Sequence, residues 1–196
     1  MTAELPSKHP LKKVFRAALD RAFGEYRNLY SPDVAEHLED NVLGDFVHVD
    51  RVYRLRDMEG RRLEDFSDMI ELSRQNEGPE RRFEVDRYIG DFVIFMGGFF
   101  PSLLRGTGFP TEPMISRVGA IVVNYERPFD YYIAEGRNAY SRAAKTARIF
   151  DPESQHTYQK LGSQIEDYLD LVGAVKRFIE DDPQLREEGH LDDGEE

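Results

Sequence analysis

The stretch DRYIGDFVIFMGGFFPSLLRG, residues 86–106, decides the fold. From Phe92 to Phe100 it holds only apolar residues and glycine, in a chain whose mean hydropathy is −0.61. A helix that crosses a bilayer needs about 20 consecutive apolar residues. This run is far shorter and is flanked by Arg87, Asp91 and Arg105, so it predicts a central core helix, apolar on every side. Gly90, Gly97 and Gly98 would each cost about 1 kcal/mol against alanine inside a helix. That cost predicts compensation by a neighbouring helix packed close against them. Pro101 turns Phe100 away from helical geometry, so the helix should end near residue 99.

The flanking segments keep the helical period. In residues 9–27, Leu11, Val14, Phe15, Ala18, Leu19, Ala22 and Phe23 share a face. Ser31, Pro32 and Asp33 form a helix start, in which Ser31 caps, Pro32 needs no N–H partner and Asp33 faces the dipole. Val34, Leu38, Val42 and Phe46 then lie along one stripe. Gly60 punctuates, and residues 61–78 give another amphipathic helix through Leu63, Phe66, Met69 and Ile70, ended by NEGP at 76–79. Ile133, Gly136, Tyr140, Ala143, Ala147 and Phe150 are spaced 3-4-3-4-3, and three of these six are small, which suits a close crossing. The last helix, 152–180, alternates by three and four from Tyr158 through Leu161, Ile165, Tyr168, Val172 and Val175 to Ile179. Alone this reads as a coiled-coil seam. Leu169, Leu171 and Phe178 widen the stripe into one that suits a bundle core. Residues 101–129 are a glycine- and proline-rich loop with a short apolar piece, GAIVVNYERP, read as helix or extended loop because a lone strand would have no partner.

Composition bounds the rest. The 196 residues, 40% hydrophobic and 33% charged, suit one globular domain with its own core. Residues 180–196 hold nine acids and one arginine, a net of −8 out of −12, so the folded part is nearly balanced. We expect a single helical domain over 1–182 and a solvated, disordered acidic tail over 183–196. The chain has no cysteine, which excludes disulfides, thiolate metal sites and thiol nucleophiles. The first residues show no apolar leader segment, and a cytoplasmic setting is expected.

Chemical motifs are scarce. No Glu-x-x-His pair, G-x-S-x-G, phosphate-binding loop or dinucleotide fingerprint occurs. The histidines at 9, 37, 48, 156 and 190 are scattered and read as surface or capping residues, so neither metal nor cofactor is expected. Basic residues alternate with acids and support helices through pairs such as Arg87–Asp91, a pattern that excludes a nucleic-acid face. One polar cluster stands out. Asp91 borders the apolar run, with Arg87 one turn earlier and Tyr88 beside both. Arg137, Tyr140 and Arg142 lie on the helix of small residues. Packed together, these six form either an ion pair that fixes helix register or a small polar pocket for an anionic or carbonyl ligand.

The phrases VDRVYRLRDMEGRRLEDFSDMIEL, RYIGDFVIFMGGFFPSLL and YYIAEGRNAYSRAA resemble runs in uncharacterised bacterial helical proteins, over roughly residues 30–150. The resemblance implies a bacterial, cytoplasmic helical protein and carries no activity, cofactor or site residue. The expectation is thus an all-α bundle of about six helices, crossing no membrane. Two functions follow from it. One is a non-catalytic protein-interaction or assembly module, homodimeric through helix 152–180 or holding another protein partner. The other is a small-molecule-binding or enzymatic bundle with a pocket near Tyr88, Asp91 and Tyr140.

Overall fold

Seven helices build the described part of the chain: α1 (Pro10–Glu25), α2 (Pro32–His37), α3 (Phe66–Arg74), α4 (Pro79–Phe99), α5 (Pro128–Phe150), α6 (Gln155–Ser163) and α7 (Ile165–Asp181). The computed structural model describes residues 10–46, 53–57, 59–75, 78–102, 114–118, 121–125 and 128–183. The expected acidic tail lies, beyond its first residue, outside them. No helix among the described residues is long and apolar enough to cross a membrane.

The fold is all-α, and α4 is its axis. From Val85 to Gly98 only Arg87 is not buried. It packs against α5 on one side and α7 on another, while α1 covers α7 and α3 lies against α4. The glycines permit this. A Cβ on Gly90 would sit 2.7 Å from the Tyr140 ring, and one on Gly98 would sit 2.6 Å from Val172. A Cβ on Gly97 would collide with Leu169. Gly136 answers from α5, where a Cβ would meet Val93 at 2.9 Å. Helix α4 ends at Phe99, where Phe100 leaves helical geometry before Pro101.

Four details depart from the sequence reading. First, residues 152–180 are not one helix. Backbone angles of φ −120° and ψ 30° at Gln164 break the segment into α6 and α7. The three-four alternation survives because both pieces face the core, but α6 lies on α5 whereas α7 lies on α4 and α1. Every seam residue from Tyr158 to Val175 is buried within the chain. Second, the Asp151-Pro152-Glu153 signature starts no helix at 152; the helix begins at Gln155.

Third, Ser31 has the extended backbone of an N-cap and Pro32 stands where expected, but the Ser31 side chain makes no cap bond. Beyond His37 the helix widens into a π-helical turn, Leu38–Leu43, and closes with an α turn, Gly44–Phe46. The four-residue stripe Val34, Leu38, Val42, Phe46 explains this. Successive steps of four drift around a helix of 3.6 residues per turn, and the wider turn lets all four remain buried.

Fourth, sheet is present. Met114–Val118 (β1) pairs antiparallel with Ile121–Tyr125 (β2), in register Met114↔Tyr125 to Val118↔Ile121, and the pair lies against α5. The expectation of helix or loop here assumed a strand without a partner, yet the partner stands three residues away. Likewise Arg56 bridges Arg62, with Leu63 N–H donating to Leu55 O at 3.0 Å, so α3 starts at Phe66 and not near 61. Gly60, at φ 80°, makes that turn.

Candidate functional site

Asp91 is 1% exposed. A carboxylate there requires partners, and two converge on one oxygen. His37 Nε2 lies 2.6 Å from Asp91 Oδ1, and the Tyr140 hydroxyl donates to the same atom at 2.8 Å. Helices α2, α4 and α5 are thereby tied at one point. Burial pushes the Asp91 carboxyl up, but His37, Arg87 and the Tyr140 hydroxyl outweigh it and hold it below the usual carboxylate range. The Tyr140 phenol moves well upward through burial and the Asp91 charge, so it stays a donor. Asp91 Oδ2 and Arg87 Nε are buried without a hydrogen-bond partner among the described residues.

His37 is 6% exposed and lies edge-on to the Tyr158 ring, centroids 5.4 Å apart. Tyr158 is in turn stacked on Tyr140 at 6.2 Å. Burial, with the Asp91 charge adding, raises the Tyr158 phenol to about 12. Outward from these rings opens a cleft of about 740 Å³. Helix α2 and its π turn give Asp33, Glu36, His37, Asp40 and Asn41; α4 gives Arg87; the turn before α6 gives Asp151 and Glu153. The π turn begins at the residue after His37 and carries Asp40 and Asn41 into the wall. π-Helical turns recur at functional sites because they re-aim side chains that an α-helix would spread apart.

The charge is uneven. Six carboxylates line the cleft against Lys12, Arg54 and Arg87. Lys12 pairs with Asp40 and Arg54 with Asp45, each at 2.7 Å. Asp33, Glu36 and Glu153 have no ion pair among the described residues. No group of three or more His, Asp or Glu among the described residues could hold a metal ion.

The six residues singled out in the sequence separate. Asp91 and Tyr140 meet as expected. Arg87 does not pair with Asp91 at i, i+4; its guanidinium donates to Asn41 Oδ1 and acts on Asp91 only through its charge. Tyr88 is buried against Phe46 with the Arg54 guanidinium over its ring, and Tyr140 fills the space above Gly90. The volume expected between Tyr88, Asp91 and Tyr140 is therefore occupied, and open space begins one layer out, at Arg87 and His37. Arg137 reaches Glu166 at 3.0 Å and borders a separate 270 Å³ hollow. Arg142 binds Asp86 at 2.8 Å and Ser73 at 3.3 Å. Asp86 is fully buried, and burial, opposed by Arg142, raises it to about 6.

His37 is the residue that the sequence reading misses, since it reads as a surface or capping histidine. Its position carried a signal: it falls three after Val34 and one before Leu38, on the apolar stripe. Compared with protein-family models, curated proteins and solved structures, the chain matches none.

Proposed function

We propose that this chain is a small-molecule-binding helical protein whose site is the cleft above His37, and that its ligand is a small amine or other organic cation. The observation that carries this reading is a cleft of ligand size whose wall holds His37, oriented from behind by the buried Asp91. Ligand sites are typically clefts of about 300–1,000 Å³ with a few converging polar groups. The excess of carboxylates argues for a cation and against the anion expected from the sequence, since a second negative charge would meet Asp33, Glu36 and Glu153. Tyr158 offers an aromatic surface beside them.

The assembly reading is not favoured. Its seam residues are used within the chain, and its acidic tail lies outside the described residues. A cytoplasmic setting belongs to the proposal, supported by the cysteine-free composition.

Titration with benzylamine and, separately, benzoate, followed by amide NMR, tests the reading. Benzylamine should give saturable shifts confined to residues around Asp33, His37, Asn41 and Thr157, and Asp33→Lys should weaken them. Equal binding of benzoate, or amine shifts spread over the whole surface, would refute it.

A further inference from the structure

We propose that His37 is a general base, taking a proton through Nδ1 from a molecule held in the cleft, with Asp91 as the residue that positions it. The inference rests on the reading of the cleft as a ligand site and goes beyond binding to a reaction.

The argument is one of tautomers. Asp91, ionised, can only accept hydrogen bonds, so the imidazole nitrogen 2.6 Å from its Oδ1 must carry the hydrogen. A neutral imidazole has a single N–H. In the neutral ring Nε2–H is thus committed to Asp91, and the lone pair is on Nδ1. That nitrogen makes no hydrogen bond among the described residues, although nearly all of the ring is buried and His37 lines the cleft. A carboxylate that fixes a histidine's tautomer and orientation is the arrangement by which the other nitrogen is made a proton acceptor.

The surroundings hold the ring still. Tyr140 donates to the same Asp91 oxygen, so the carboxylate cannot turn away, and Tyr158 abuts the imidazole at 88°. His37 lines the open cleft, and Nδ1 is the ring nitrogen not committed to Asp91. Arg87 lines the same wall, with its guanidinium donating to Asn41 Oδ1 and its Nε buried. In the step, the Nδ1 lone pair forms an N–H bond while an acidic C–H or O–H bond of the ligand breaks. The bonding pair stays on the ligand, whose charge falls by one, so a cationic ligand becomes net neutral. The proton on Nδ1 then returns to the product or to solvent.

The test uses 5-nitrobenzisoxazole, a small planar molecule that reports any well-placed base. Removal of its ring C–H proton sends that bonding pair into a nitrile, the N–O bond breaks, and the phenolate leaves with the N–O pair and absorbs visible light. The unaltered protein should exceed His37→Gln by about 10²-fold, the lower range of general-base contributions. Asp91→Asn, confirmed folded by circular dichroism, should lose most of that advantage. Equal rates for the unaltered protein and His37→Gln overturn the proposal. A second measurement needs no variant. In the ¹⁵N spectrum of the unaltered protein at neutral pH, His37 should show a protonated Nε2 and an unprotonated Nδ1. The opposite tautomer, or protonation at both nitrogens, overturns it as well. If benzylamine binds the cleft but turnover ignores His37, the binding reading stands and the base falls. If benzylamine does not bind and turnover ignores His37, both fall.

Discussion

Replacing Asp91 by alanine should be among the most damaging single changes available to this fold. The carboxylate is 1% exposed and receives two hydrogen bonds, from His37 at 2.6 Å and Tyr140 at 2.8 Å. Its removal strands both donors in a dry interior, at about 1–3 kcal/mol for each buried group left unsatisfied. It also leaves the Arg87 charge without its counter-charge. Breaking one side of a buried charged pair costs about 3–5 kcal/mol, and we expect a loss in that range. With a urea slope of about 2 kcal/mol/M, the unfolding midpoint should fall by about 2 M at neutral pH without a change in slope. A double-mutant cycle isolates the cause. Tyr140→Phe alone should cost about 1 kcal/mol, but in the Asp91→Ala background it should restore stability by about 1 kcal/mol or more, because it removes the stranded hydroxyl. A loss for Asp91→Ala within about 0.5 kcal/mol, the size of a surface substitution, would refute the reasoning and mean that the carboxylate is solvated.

Gly90→Ala should destabilise despite alanine's better helix propensity, because its methyl would enter the Tyr140 ring, which is anchored by its hydroxyl; about 1–3 kcal/mol of overpacking by thermal melt is expected. Asp86 has a folded pKa raised to about 6, so its contribution to stability is full below about 4 and is lost as pH rises through 6. Relative to Asp86→Asn, the unaltered protein should therefore lose up to about 3 kcal/mol between pH 4 and pH 7 in urea melts. Ile165→Asp should unfold the chain and not merely separate subunits, since Ile165 is fully buried; circular dichroism together with light scattering distinguishes the two. Lys160→Met should cost about 1–2 kcal/mol by chemical denaturation, because Lys160 Nζ donates to the carbonyls of Leu29 and Tyr30 at 2.8 and 3.3 Å.

The helices were legible where period and punctuation agreed. The run at 92–100, Pro101 and the small residues of α5 state the central crossing outright. The break at Gln164 is masked in the sequence because the apolar alternation runs on through it, although Gly162 and Ser163 stand just before the bend. The hairpin is not legible because Met114–Val118 follows a glycine- and proline-rich run that reads as loop, which leaves Ile121–Tyr125 without a visible partner. In the site, the link between Asp91 and Tyr140 followed from the two small-residue faces. The pairing of Arg142 with Asp86 did not, since two acids five residues apart on α4 are equivalent candidates until the rotation of α5 is known. His37 was hidden by a general expectation about isolated histidines that outweighed its place on the apolar stripe.

The π turn at 38–43 has a consequence for how this helix can tolerate changes in length. An α-helix turns about 100° per residue, so an extra residue accommodated within one turn acts as a phase step between the segments on either side. Deleting one residue from 38–43 would restore regular hydrogen bonding and improve the backbone locally. It would also rotate His37 away from Asp91 while Phe46 stayed locked between Tyr88 and Phe95. Shortening here therefore sets backbone regularity against the alignment of the cleft. Length variation, ordinarily confined to loops, has in this helix a position where the chain could remain helical and yet lose the His37–Asp91 contact that ties α2 to α4.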